Sequence, residues 1–398
     1  MTITDDGLEV FFYDITTVGV SGEHELEEDL RAYGKAKAHA GTERQFAVGV
    51  VQTAEGLPIT HEVFEGNVSE PETVRGIVEG LRARFPIRRL ILVADRGMLT
   101  EANLELLESL ELADGQAVEY IVAVPARRDT KMTAAISTLH PKLVKESRRT
   151  GEQSLTETPA EKGRRLIVAH DPETAAQVRR RRREQLHTLC ALSEELKTKL
   201  DAQDAGERAR GRALTDHGAK HKFHQAVADV HLSRIIQVDA NAALFSWSFN
   251  PKAFREAWQR DGKLVLITNV KAEVLDTQGV LNRYHDLADI ERGFRVLKSE
   301  IEIAPCYHRL PDRIRAHTFL CFLALVMHRV MRLRLRANRP DLTPLALLEQ
   351  LKRIQYHEVR LATGKRLTGP TTLSDEQRAL FEAIEVPVPT RGQLKTAV

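Results

Sequence analysis

Two strand-like apolar segments, each carrying one carboxylate, set the strongest limit on how this chain folds. Residues 10–17 (VFFYDITT) are β-branched and aromatic around Asp14, the composition of a buried strand. Residues 89–94 (RLILVA) form a continuous apolar run of the kind buried on both faces of a sheet, and Asp95 stands at its carboxyl end. An acid is out of place in such segments unless it has a role there. Between them, residues 46–53 (FAVGVVQT) and 58–64 (PITHEVF) read as a hairpin, and residues 69–85 as a helix. That helix has Ser69 at its start and Val74, Ile77, Val78, Leu81 and Phe85 on its apolar face. A helix over 100–110 and a strand over 119–124 complete a β-β-β-α-β-α-β order. This predicts an α/β fold: a ribonuclease-H-like mixed sheet flanked by helices, with the first and fourth strands side by side at its centre. Adjacent strands are about 4.8 Å apart, close enough for two carboxylates to share a divalent cation.

The remainder divides by composition. Residues 127–262 read as an inserted α+β subdomain: polar and turn-rich to Gly163, a short strand over 164–169, a long charged helix over 172–200 and strands over 232–249. Trp247 in that insertion reads as a core aromatic, with stacking on an extruded base as the alternative. Residues 263–268 (KLVLIT) return the chain to the main sheet, and residues 277–302 read as one long helix. Residues 1–126 and 263–337 are thus the two parts of the core, and 338–398 a carboxy-terminal tail. Within the long helix, 100° per residue places Tyr284, Leu287, Glu291, Arg295 and Lys298 in one sector. A solvated ion-pair stripe has the same spacing, and only the two strand carboxylates argue for more.

With 398 residues, 42% hydrophobic and 29% charged, the chain is large enough for a substantial core and more than one domain. Its opening, MTITDDGLEV, lacks the basic and apolar regions of an export signal, and its longest apolar run, residues 319–327, is too short to span a bilayer. A cytoplasmic protein without a membrane partner is expected. Three widely spaced cysteines read as buried thiols and not a zinc site. Net charge is only +2, but basic residues cluster at 179–183, at Lys220 and Lys222, and at Arg329, Arg332, Arg334 and Arg336. Such clusters neutralise phosphates or simply line a solvated helix.

Several of these segments, in order, resemble the DDE transposases of bacterial insertion sequences, in the IS-four-type group with a Tyr, Arg, Glu, Lys signature. The matching residues are YDITT around Asp14, VFEGN at 63–67 and VADRGM around Asp95. Tyr284, Leu287, Glu291 and Lys298 follow on one helix, then YHRL at 307–310 and RIRAHTFLCFLAL from 313. The resemblance implies a DNA-cleaving and strand-joining enzyme with Asp14, Asp95 and Glu291 as its catalytic and metal-binding acids. It implies two divalent cations, Mg²⁺ with Mn²⁺ able to substitute, and Tyr284 and Lys298 on DNA phosphates. Transposon ends and target DNA are the implied partners, and a homodimer on DNA the implied assembly. The signature's Arg position is Leu287 here, so that contact is expected either to be absent or to pass to Arg295 or Arg283. Members of the group usually carry a helical DNA-binding region before the first Asp. Only 13 residues precede Asp14, so the expectation is a form lacking end recognition. Two alternatives stand beside the transposase: a nuclease of the same fold that cuts without joining, and a non-catalytic DNA-binding remnant.

Overall fold

The computed structural model describes residues 10–22, 29–35, 42–68, 70–85, 89–94, 100–111, 115–124, 130–206, 213–364 and 366–388. The chain divides into two compact units, one formed by Met1–Ile121 with Asn282–Val398 and the other by Val122–Leu281. Among the described residues nine strands form a central mixed sheet flanked by helices, the ribonuclease-H-like architecture the sequence predicts.

The first unit opens with β1 (Val10–Gly19), β2 (Ala32–Lys35), β3 (Thr42–Thr53) and β4 (Pro58–Glu65). α1 (Glu70–Arg84), β5 (Ile91–Ala94), α2 (Glu101–Ser109) and β6 (Glu119–Ala123) follow. Its strand order is β2-β3-β1-β5, with β4 also on β3. β1 runs antiparallel to β3, with Asp14 opposite Val50, and parallel to β5, with Phe12 opposite Val93. The strands of the two acidic segments are therefore neighbours, as their order in the chain predicts. β3 is buried from Arg44 to Thr53, which its β-branched run explains. β2 falls in a stretch that reads as loop: AYGK is too short to show a period. α2 starts where Thr100 accepts a hydrogen bond from the Asn103 N–H (3.2 Å), a side-chain N-cap.

The second unit contains α3 (Thr130–Thr150), β7 (Ser154–Pro159), β8 (Arg165–His170), α4 (Pro172–Asp204) and α5 (Asp216–Asp229). β9 (Ile236–Val238), β10 (Trp247–Phe249), α6 (Pro251–Arg260) and β11 (Lys263–Thr268) complete it. β8 lies between β11 and β7, antiparallel to both. The segment expected to be turn-rich is instead the 21-residue α3, with Pro141 inside it. It buries Ile136, His140, Leu143 and Ser147 at helical spacing and exposes Pro141. The Ser137 carbonyl that loses its partner to the proline belongs to an exposed residue, open to solvent. Trp247 packs against Phe223 and donates from Nε1 to Ser193 Oγ (2.6 Å), so it is a core aromatic. The Arg179–Arg183 run is partly structural. The Arg179 guanidinium stacks 4.2 Å over Trp258, and Arg182 grips buried Asp261 with two hydrogen bonds (2.8 and 2.5 Å), while Arg180, Arg181 and Arg183 are exposed.

The chain continues through α7 (Thr277–Asp286), then α8 (Ala288–Ser299) and α9 (Pro311–Asn338) in the first unit. α10 (Pro344–Leu351), β12 (Tyr356–Arg360), β13 (Arg366–Pro370) and α11 (Asp375–Ala383) follow. The single helix expected over 277–302 is two helices: the Leu287 N–H turns back to the Tyr284 carbonyl (3.1 Å), a tight i to i−3 bond. The tail carries packed helices. Leu347 of α10 and Leu380 of α11 pack with Leu335 of α9, and Ser374 with Gln377 forms a capping box. By length and composition α9 alone among the described helices is long and apolar enough to cross a membrane, yet Ile314, Thr318, Cys321, Leu325 and Leu335 are buried within this unit. Cys306 and Cys321 are buried free thiols, whereas Cys190, expected to be buried, is exposed on α4.

Candidate active site

β1 brings Asp14 into the first unit between fully buried Tyr13 and half-buried Ile15, and Asp14 is itself half-buried, its carboxyl accepting from the Ile15 N–H at 2.7 Å. Tyr13 needs room beside β3, and Gly49 provides it. A Cβ at Gly49 would stand 2.9 Å from Tyr13 Cε2 and 3.1 Å from its hydroxyl, so only glycine lets the ring lie there undisturbed. Across the sheet, β5 ends its described course at Ala94. Asp95 lies outside the described residues.

α8 carries Glu291 and packs against both β1 and α9. Its apolar face is Ile290, Phe294 and Leu297, preceded by Leu287, all buried. Glu291, Arg295 and Lys298 are exposed along one flank of that face. This arrangement follows from the sequence, since the apolar residues recur at i, i+4 and i+7 and the charged ones fall between them. Tyr284, in the last turn of α7, is half-buried. Leu287 belongs to the apolar face of the next helix and presents no charge, and Arg283 lies 3.7 Å from Asp286.

Three contacts that the sequence does not announce fix α8. Gln52, buried on β3, brings its side-chain amide to 2.7 Å from the Ile290 backbone N. With its oxygen oriented there it accepts, and its nitrogen donates to the Gly56 carbonyl. Arg329 of α9 lies over Gly293, with Nη2 only 3.2 Å from where a Cβ would stand. At the far end His328 Nε2 sits 3.2 Å from Glu300. Burial pulls the His328 pKa down, and the Glu300 carboxylate opposes that. The legible signals were indirect: a glycine inside the apolar run FAVGVVQT, and a glutamine at a strand position that turns out to be buried.

β4 faces α9, where His61 stacks on Phe322 with ring centroids 4.5 Å apart. Burial, reinforced by the Arg84 charge, pushes its pKa down to about 4, so this contact is between neutral rings. Chemically, the described part of the site offers two carboxylates on adjoining elements and a row of cations beside one of them. Oxygen donors of this kind suit a hard divalent cation. Among the described residues no three ligand-type side chains come together, and Asp95, the third acid expected from the sequence, lies outside them. The family model described as the transposase DDE domain matches residues 5–327, from before β1 into α9. No curated protein matches the chain.

Proposed function

From its membership of the transposase DDE-domain family, to which this chain belongs, we propose a DNA transposase of the IS-four-type group that cleaves and joins strands at the ends of an insertion sequence. Asp14, Asp95 and Glu291 are the reacting acids in this reading, and one observation carries it. α8 lays the Glu291 helix against β1, while β5 runs parallel to β1 with Phe12 opposite Val93, each two residues before one of the aspartates.

The same three acids would hold the cations, Mg²⁺ with Mn²⁺ as substitute, and all their donor atoms are carboxylate oxygens. When bound, two such ions activate an attacking hydroxyl or water and stabilise the leaving oxygen of an in-line displacement. The chain's own residues supply the rest. Arg295 and Lys298 stand one and two turns beyond Glu291 on its exposed side, where cations draw a phosphate backbone towards the carboxylate. Tyr284 adds a phenol hydroxyl one turn before α8. Buried Leu287 cannot contribute at the surface, so Arg295 takes the signature's cationic role. The core of this enzyme comprises residues 1–126 and 263–337, with 127–262 inserted between them. It acts in the cytoplasm on transposon-end and target DNA, as a homodimer with one protomer for each end.

The test is cleavage of the DNA flanking the coding sequence, with Mg²⁺, by the wild type and by Glu291→Gln. The expected result is loss of cleavage by at least about a hundredfold with DNA affinity retained, because the substitution removes a charge at the reacting centre and leaves the cationic row intact. A Glu291→Gln variant that cuts at the normal rate would remove Glu291 from the site.

A further inference from the structure

After α8 the chain returns to the end of β1. Cys306 bridges to Val20 in parallel, its N–H donates to the Gly19 carbonyl (3.1 Å), and the Ser21 N–H donates to the Cys306 carbonyl (3.0 Å). The next residues line a cleft of about 430 Å³: Tyr307, His308, Arg309, Leu310 and Arg313. Tyr307 is 73% exposed, far more than an aromatic ring needs for packing, and Leu310 is 49% exposed. Among the described residues neither Arg309 nor Arg313 meets a carboxylate, whereas the neighbouring Arg315 pairs with Asp312 (3.3 Å).

The cleft is held in shape. The His308 ring meets His317 edge-on (5.5 Å between centroids), and the His317 Nε2–H donates to the Ile303 carbonyl (3.1 Å). An aromatic face beside two guanidinium groups has the chemistry to receive a base and its phosphate. A flat ring offers a π-face that any base can use, and the cations hold the backbone. A duplex keeps its bases stacked inside, so such a ring selects a nucleotide that has left the stack.

We infer that this cleft receives one unpaired nucleotide of the DNA substrate, with its base on Tyr307 and its phosphate between Arg309 and Arg313. The inference rests on the reading of the chain as a DNA-acting enzyme. It makes Tyr307 a positioning residue. Val20, just past the end of β1, lies six residues beyond Asp14, so the chain beside the cleft stands roughly 20 Å from that residue at about 3.3 Å per residue, too far for Tyr307 to touch the reacting phosphate.

The experiment measures binding of the full chain to an oligothymidine strand, to an abasic strand of equal length and to a blunt duplex, by fluorescence anisotropy. The wild type is expected to prefer oligothymidine over the abasic strand by about tenfold. Tyr307→Ala erases that preference, Tyr307→Phe keeps it, and neither alters duplex affinity. Arg309→Ala and Arg313→Ala weaken both single strands alike, each lowering the slope of log affinity against log salt by roughly 0.7. All of these side chains are exposed, so the variants leave the core unchanged. A base preference that is missing in the wild type, or that survives in Tyr307→Ala while duplex binding stands, overturns the cleft assignment alone. Failure to bind any of the three DNAs overturns the DNA reading and this one together.

Discussion

Two residues make opposite demands on the space beside Asp14: Tyr13 fills it and Gly49 vacates it. Gly49→Ala is expected to destabilise the first unit by about 1–3 kcal/mol, because its methyl would meet the Tyr13 ring in a closed core. A urea midpoint equal to that of the wild type would show that Tyr13 moves freely. Titration gives a second prediction. Burial holds His61 and His170 down to about 4, against an ordinary 6.5, with the Arg84 charge adding to it at His61 and the Lys263 charge at His170. Between those values the unfolded chain takes up protons that the folded chain refuses. Stability is therefore intact above pH 6.5 and falls as the pH drops towards 4, by up to about 1.4 kcal/mol per pH unit for each histidine. Lys263 works at the alkaline end. It donates to His140 Nδ1 (2.8 Å), and burial lowers its pKa to about 8 from 10.5. Its burden is present in full below pH 8 and is relieved as the pH climbs to 10.5. Urea midpoints measured from pH 4 to 10 check both limbs, and a flat profile would contradict them.

At the scale of elements, α3 carries the clearest prediction. Pro141 interrupts its hydrogen-bond ladder on the exposed side, so Pro141→Ala is expected to stabilise the second unit by about 1–3 kcal/mol, the proline's restriction of the unfolded chain offsetting part of the gain. Equilibrium unfolding followed by far-ultraviolet circular dichroism measures it. The same proline explains why α3 was not legible in the sequence: a local breaker hides a helix whose burial of Ile136, His140 and Leu143 decides the outcome. The break at Leu287 was hidden for the opposite reason, since nothing in YHDLADIERG disfavours a helix and one backbone hydrogen bond shifts from i−4 to i−3. What could be read were the strands. A run such as ILVA or KLVLIT has no alternative to burial, and parallel pairing of β1 with β5 follows from the order of the elements. The placement of the Glu291 helix against β1 depends on Gln52, Arg329 and Glu300, contacts between residues far apart in the chain, and no local pattern encodes these.

At the scale of the whole molecule, each unit has its own apolar cluster, Leu335, Leu347 and Leu380 in the first and Leu189, Phe223 and Phe245 in the second. Thermal unfolding is therefore expected to depart from a single two-state transition, with a calorimetric enthalpy larger than the van't Hoff value. Equal enthalpies would mean that the two units melt as one. The first unit is also built from two separated stretches of chain, Met1–Ile121 and Asn282–Val398. On a ribosome adding about 5–20 residues per second, Asp14 emerges some tens of seconds before Glu291. In the function proposed above, the nascent chain lacks one of the three assigned acids throughout that interval, and cleavage waits until translation has passed residues 127–262. The timing of synthesis would thus act as a safety catch on the proposed cleavage.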